Sequence, residues 1–234
     1  GMFYMATSAN PDVSKWNVSN ATYMIRMFQQ ATSANPDVSG WDVSNVDNMN
    51  WMFYGATSAN PDVSKWNVSE ATYMNGMFEG ATSANPDVSR WDTSKVTDMR
   101  NMFNGATSAN PDVSRWNVSK VAYMNGMFGG ATSANPNVSG WDTLKVTNMS
   151  YMFEKSGIKK INLSKWKLNE EILKDNNTEG MFSGCSKLEY LKTPAGMRTN
   201  ISVAGDEDFK IVLLRKGASP VVEKESENLK INLK

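Results

Sequence analysis

Histidine is absent from the 234 residues, and cysteine occurs once, at Cys185. Without histidine the commonest general base and metal ligand is missing. One thiol makes neither an intrachain disulfide nor a cysteine-ligated zinc site. An excess of charge of one sign is lacking too: 24 Lys and Arg face 24 Asp and Glu, with a pI of about 6.6. No basic field exists to hold nucleic acid or an anionic membrane. The longest apolar run is five residues, 2–6, against the ~20 that a membrane-spanning helix needs. No hydrophobic leader opens the chain. Catalysis would have to rest on Asp, Glu, Lys, Ser or Tyr, and no catalytic, cofactor or metal-binding set stands out.

What is abundant is methionine (16) and tryptophan (8), and both recur at a fixed interval. Met-Phe stands at 2–3, 27–28, 52–53, 77–78, 102–103, 127–128, 152–153 and 181–182. Trp stands at 16, 41, 66, 91, 116, 141 and 166. The period is 25 residues, and Ala-Thr-Ser-Ala-Asn-Pro appears six times up to Pro136. A fixed period of ~20–50 residues marks a solenoid, in which each unit covers the apolar face of its neighbour.

Within a unit, Val46, Met49, Met52 and Phe53 are spaced as one stripe of a helix. Ser44 stands where an N-cap belongs and Gly55 where a left-handed C-cap belongs, so the spacing predicts a short helix over 44–53. The segment 61–66 is too short for a helix after Pro61 and reads as a brief strand with Val63 and Trp66 turned inward. The expected fold is thus an α/β solenoid. It is a right-handed arc with one short strand and one short helix per repeat, strands on the concave side because they pack closer than helices.

The repeats alternate in kind. One kind reads Trp-Asn with Tyr before Met, as at Trp16, Trp66 and Trp116; the other reads Trp-Asp with Asn or Asp there, as at Trp41, Trp91 and Trp141. The copied unit was therefore 50 residues long. Residues 1–153 hold six near-identical repeats. Residues 154–198 hold divergent seventh and eighth repeats, in which Ile161 replaces the proline and the Met-Phe spacing stretches to 29. Residues 199–234 alternate with period two (Ile201/Val203, Phe209/Ile211/Leu213, Leu229/Ile231/Leu233), as a β cap or the start of a further domain would. The first unit lacks an N-terminal cap, so the chain reads as a piece of a longer array with Gly1 left by tag cleavage.

The best unit is Trp91-Asp92-Thr93-Ser94-Lys95-Val96-Thr97-Asp98-Met99-Arg100-Asn101-Met102-Phe103, and Met181-Phe182-Ser183-Gly184-Cys185 repeats its other half. This pattern, over roughly residues 2–193, resembles the 25/26-residue repeat of bacterial surface proteins and lipoproteins related to the BspA-type leucine-rich repeats. The resemblance implies a leucine-rich-repeat-like solenoid on a secreted or surface-anchored protein, working in adhesion or partner interaction, with no defined catalytic or metal residues. Ala-Thr-Ser-Ala-Asn-Pro stands where many members carry a Leu-containing strand lead-in.

Several columns of residues are candidate sites. Fourteen of the 16 Met lie in two columns and read as pliable core against aromatic rings rather than a copper-binding thioether ladder. The Trp column reads as core, each N–H seeking a backbone acceptor, rather than as a carbohydrate platform. Asp12, Asp37, Asp62, Asp87 and Asp112 follow Asn-Pro and read as turn formers rather than calcium ligands. Thr7, Thr32, Thr57, Thr82, Thr107 and Thr132 form a hydroxyl ladder of the kind that binds ice on flat solenoids. Glu170, Glu171, Asp175 and Glu179 are the only irregular carboxylates that could line a glycosidase-type cleft, and they read as a solvated helix. The binding candidates are Trp51 and Tyr151, which project away from the apolar stripe, together with Tyr23, Tyr73 and Tyr123. The expected function is non-enzymatic. A multivalent extracellular repeat surface would meet a protein or glycan partner, with no nucleic acid and no membrane insertion of this segment. A plain spacer, an ice-binding ladder and a glycan-active enzyme are the alternatives.

Overall fold

A computed structural model describes residues 1–172, 177–194 and 197, with the backbone of residues 201–202, 210–211, 221–225 and 228–232. About half of the backbone hydrogen bonds of a unit run to its neighbours. The N–H groups of Met49, Trp51, Phe53 and Gly55 donate to the carbonyls of Tyr73, Asn75, Met77 and Glu79, 24 residues later, at 2.7–2.9 Å. The N–H groups between them, on Met52, Tyr54 and Ala56, turn back to the carbonyls of Met49, Trp51 and Phe53. Trp51 (φ 55°) and Gly55 (φ 63°) are the third residues of the four-residue turns 49–52 and 53–56, where a type II turn needs positive φ. The arrangement repeats from 24–30 through 149–155. It is polar, with these N–H groups facing the following unit and these carbonyls facing the preceding one.

The segment 44–53 is therefore a run of turns, not the expected helix. Val46, Met49, Met52 and Phe53 are fully buried as the stripe required. A helix, however, would spend on i→i−4 bonds the N–H groups that here reach the next unit. Gly55 belongs to a turn rather than a C-cap. Ser44 is not an N-cap; its N–H donates to Asp42 Oδ1 at 3.1 Å.

The segment 61–66 forms no strand either. Asp62 Oδ1 accepts from the Ser64 N–H (3.0 Å) and hydroxyl (2.6 Å), and the Trp66 N–H returns to the Val63 carbonyl at 3.1 Å. Pro61 has no N–H to give to a ladder. Where the proline is replaced, a strand appears. β1 (Lys160–Asn162) pairs in parallel with β2 (Tyr190–Lys192), Ile161 opposite Leu191. An antiparallel hairpin of β5 (Val221–Glu225) and β6 (Asn228–Asn232) extends this sheet from β2 in the order β1-β2-β5-β6. Between them in sequence, β3 (Ile201–Ser202) and β4 (Lys210–Ile211) form a separate antiparallel pair. Val203, Phe209, Leu213 and Leu233 of the alternating segment lie outside the described residues, as does Asp175.

Stacking in register sets like upon like. Phe28, Phe53, Phe78, Phe103, Phe128, Phe153 and Phe182 are fully buried, with neighbouring rings 5.4–5.7 Å apart. The Trp rings stack at 6.3–6.5 Å. From Trp41 to Trp166 each indole N–H donates to the Val carbonyl 28 residues earlier, at 2.8–3.1 Å. The methionines of positions 49, 52, 74, 77, 99, 102, 124, 127, 149 and 152 are completely covered, so the columns are core as their spacing implied, except in the first unit, where Met2 and Trp16 are exposed.

Trp91 is 3% exposed and bonds Val63. Trp91→Ala should cost about 3–5 kcal/mol, since it empties a large buried site. Trp91→Phe, which keeps a ring but orphans the Val63 carbonyl, should cost about 1–3 kcal/mol. Urea titrations followed by circular dichroism would measure both; a loss near zero for the alanine variant would place the indole outside the core.

Candidate functional site

The five aromatic candidates fall into two separate columns. Tyr23, Tyr73 and Tyr123 are 66%, 41% and 44% exposed. A chain of parallel bridges runs Tyr23–Asn48–Tyr73–Asp98–Tyr123–Asn148, so tyrosine and a polar residue alternate along one line. Arg100 lies over the Tyr123 ring, 5.0 Å from its centroid, and is held there by Asp98 through its Nε and Nη2. Sequence reasoning missed this Asp98–Arg100–Tyr123 cluster. Its signal was faint, since Arg100 occupies a position that is Asn or Ser in most other units.

Trp51 and Tyr151 occupy the left-handed turn position, one column over. Trp51 is half-buried and Tyr151 exposed. Each lies against the glycine of the following unit: a Cβ on Gly76 would meet Trp51 Cδ1 at 2.6 Å, and one on Gly180 would clash with the Tyr151 ring. Asn101 sits over Gly126 in the same way. From Trp51 onward, each side chain at this position lies over a following glycine, which supplies a physical reason for the 50-residue unit. At the first junction Arg26 instead places its guanidinium 4.8 Å from the Trp51 ring centroid. Gly76→Ala should destabilise the chain by more than the ~1–2 kcal/mol that a left-handed alanine costs. Trp51→Ala added to it should recover the steric part but not the backbone part, and a double-mutant cycle on thermal melts reads the difference.

The Asp column forms turns. Asp12, Asp37, Asp62, Asp87 and Asp112 each accept from the serine two residues on, its hydroxyl at 2.6–2.7 Å and its N–H at 3.0–3.1 Å. Those bonds, the hydroxyl's first and the N–H's second, hold all five carboxyls below the usual aspartate value. Asn137 makes the same turn with Ser139 without a charge. In the threonine column, Thr32, Thr57, Thr82, Thr107 and Thr132 donate their hydroxyls to the previous threonine's carbonyl at 3.2–3.5 Å, so the ladder is tied into the stack. Burial raises the Glu79 carboxyl above its ordinary value, and a hydrogen bond with Asn101 partly counters the rise.

Because the folded aspartates have depressed pKa values, their stabilisation is complete above the unfolded aspartate pKa. It is lost as pH falls through the lower folded values. Melting temperatures should therefore drop below about pH 4. Replacing the five aspartates with asparagine should leave the neutral-pH fold intact and make that acid limb shallower.

Among the hollows of the described surface are two of similar size. One, of about 380 Å³, is lined by Asn135, Pro136, Asn137, Lys160, Ile161 and Tyr190 among others, where the proline column gives way to β1. The second, of about 420 Å³, is lined by Lys65, Trp66, Arg90 and Asp92 among others. Neither is lined by the carboxylate pair that glycoside hydrolysis needs. Among the described residues, no three His, Cys, Asp or Glu cluster as metal ligands, and no helix is long and apolar enough to cross a membrane. Burial raises the pKa of the Cys185 thiol.

The family model described as "Mycoplasma protein of unknown function, DUF285" matches residues 1–91 and again 72–192. Comparison with curated proteins gives no match, and comparison with solved structures gives none.

Proposed function

The chain belongs to the DUF285 family of Mycoplasma proteins of unknown function, and from that premise we propose that it is a non-enzymatic repeat domain of a bacterial surface protein. The stacked units would form a solenoid, kin to the BspA-type leucine-rich repeats. Its outer face would meet a protein or glycan partner outside the cell through several weak, repeated contacts. One observation carries this reading: three exposed tyrosines stand in a single bridged line along the repeats. The Trp, Met and Phe columns are consumed by the core, and the Asp and Thr columns by turns and inter-unit bonds. The positions that vary between units, at 25/50/75/100/125/150 and 26/51/76/101/126/151, flank the tyrosine line. Exposed aromatics on a rigid frame are the usual anchors of a protein surface.

Two measurements test the reading. Antibody against the repeats should label intact, unpermeabilised cells, and failure to do so would remove the surface assignment. In a solid-phase screen of extracellular matrix proteins and glycans, the Tyr23→Ser/Tyr73→Ser/Tyr123→Ser variant should bind at least ~10-fold more weakly than the parent, with an unchanged melting curve. Surface labelling without any partner would favour a spacer that holds other parts of the protein away from the membrane.

A further inference from the structure

The tyrosine line has a period and a charge that together select a kind of ligand. Bridged neighbours lie ~4.8 Å apart, so tyrosines on alternate units recur at roughly 10 Å. A ribbon of equatorially linked pyranoses advances by close to one strand spacing per sugar and turns its ring over at each step. Only every second sugar then presents the same face to a surface it lies along. Tyr23, Tyr73 and Tyr123 match that period. Asn48 and Asn148 fall opposite intervening sugars, whose hydroxyl edges need hydrogen-bonding groups, whereas Asp98 between them is buried and held by Arg100.

The charge at the Tyr123 end of the line is basic, although the array as a whole holds 9 cations against 12 anions. Lys95, Lys120 and Lys145 stand three residues before Asp98, Tyr123 and Asn148, and Arg100 lies over Tyr123. Lys95 pairs with Glu70 at 2.6 Å, and Asp98 is occupied by Arg100. Lys120 and Lys145 have no ion-pair partner among the described residues. Four of the remaining cations, Lys15, Lys65, Arg90 and Arg115, each follow an aspartate by three residues, so uncompensated positive charge gathers beside Tyr123, while Asp47 and Glu70 stand toward the Tyr23–Tyr73 end of the line.

We propose that the tyrosine line binds a linear acidic polysaccharide of alternating uronate and amino-sugar residues, laid along the array. The tyrosines stack on alternate sugars, Tyr123 through the ring face that Arg100 leaves open, while Lys120 and Lys145 meet the carboxylates. This rests on the reading that the chain presents a binding face, and it names the partner class.

Calorimetric titration of the intact chain with hyaluronan oligosaccharides of increasing length tests it. Affinity should rise in steps as the oligosaccharide becomes long enough to span a second and then a third tyrosine. Each single Tyr→Ala change on the line should weaken binding roughly 3–10-fold. Lys120→Gln with Lys145→Gln should weaken it further and flatten its salt dependence. Thr82→Ser, on the threonine column, should leave binding unchanged, and thermal melts would show each variant folded. No binding to hyaluronan, or binding indifferent to the tyrosines, overturns the proposal. Equal affinity for uncharged chitooligosaccharides overturns the acidic assignment. Tyrosine-dependent capture of a matrix protein with no glycan binding overturns this inference while leaving the surface-domain reading in place; loss of both kinds of binding removes both.

Discussion

The hydrogen-bond ladder between units, from each donating N–H to a carbonyl 24 residues later (28 at the last junction), is the constraint on which the rest of this protein depends. Buried backbone groups must be paired, and this ladder pairs about half of those in the turn segment, leaving the others to close local turns. Because all its donors face one way, no unit satisfies these donors without a following unit. The ladder also fixes the axial register. In register, identical side chains meet, so the core is built from columns of Phe on Phe and Trp on Trp. Ring stacking adds to burial both between like rings and where Phe28 and Phe103 meet Trp41 and Trp116. Near-identity of the repeats is thus a packing requirement inside the stack, whatever its origin in copying.

Outside the stack the same register acts as a steric rule. Left-handed turn residues point outward over the following unit, and a side chain there fits when that unit has glycine. Trp51 over Gly76 and Tyr151 over Gly180 follow this rule, and so does Asn101 over Gly126. Proline has a comparable effect on the opposite part of the unit. It withholds an N–H from any ladder at that position, and a parallel strand pair forms only once Ile161 and Leu191 take over. Asparagine fills part of the gap. Asn10, Asn35, Asn60, Asn85 and Asn110 each accept, through Oδ1, the N–H of the asparagine 25 residues later. The surface is therefore mostly committed to holding itself together, and the Tyr23–Tyr73–Tyr123 line stands out as unspent.

Much of this was legible in the residues. The 25-residue period implied units that cover one another, and the inward columns, including the indole N–H to a backbone acceptor, followed from their recurrence. The aspartates after Asn-Pro were legible as turn formers because their side chain reaches a backbone N–H two residues on. The secondary structure was not legible. A stripe at i, i+3, i+6 and i+7 is shared by a helix and by successive four-residue turns, and nothing local separates them. The difference lies in where Met49, Trp51 and Phe53 send their N–H groups, which is a property of the neighbouring unit. Arg100 over Tyr123 was hidden for the same reason, since its partner is 23 residues away in sequence and in contact only after stacking.

By itself, then, the sequence determined the period, the composition of the core and the family, because repetition and burial are written in residue type and spacing. Only the tertiary structure decided that the backbone closes into turns rather than helices, and that Trp51 is half covered while Tyr23 stands free. It also decided that Trp51, Asn101 and Tyr151 each lie over a glycine of the following unit. Those outcomes hang on hydrogen bonds and van der Waals contacts between residues about 25 apart, whose geometry exists only when the units are stacked.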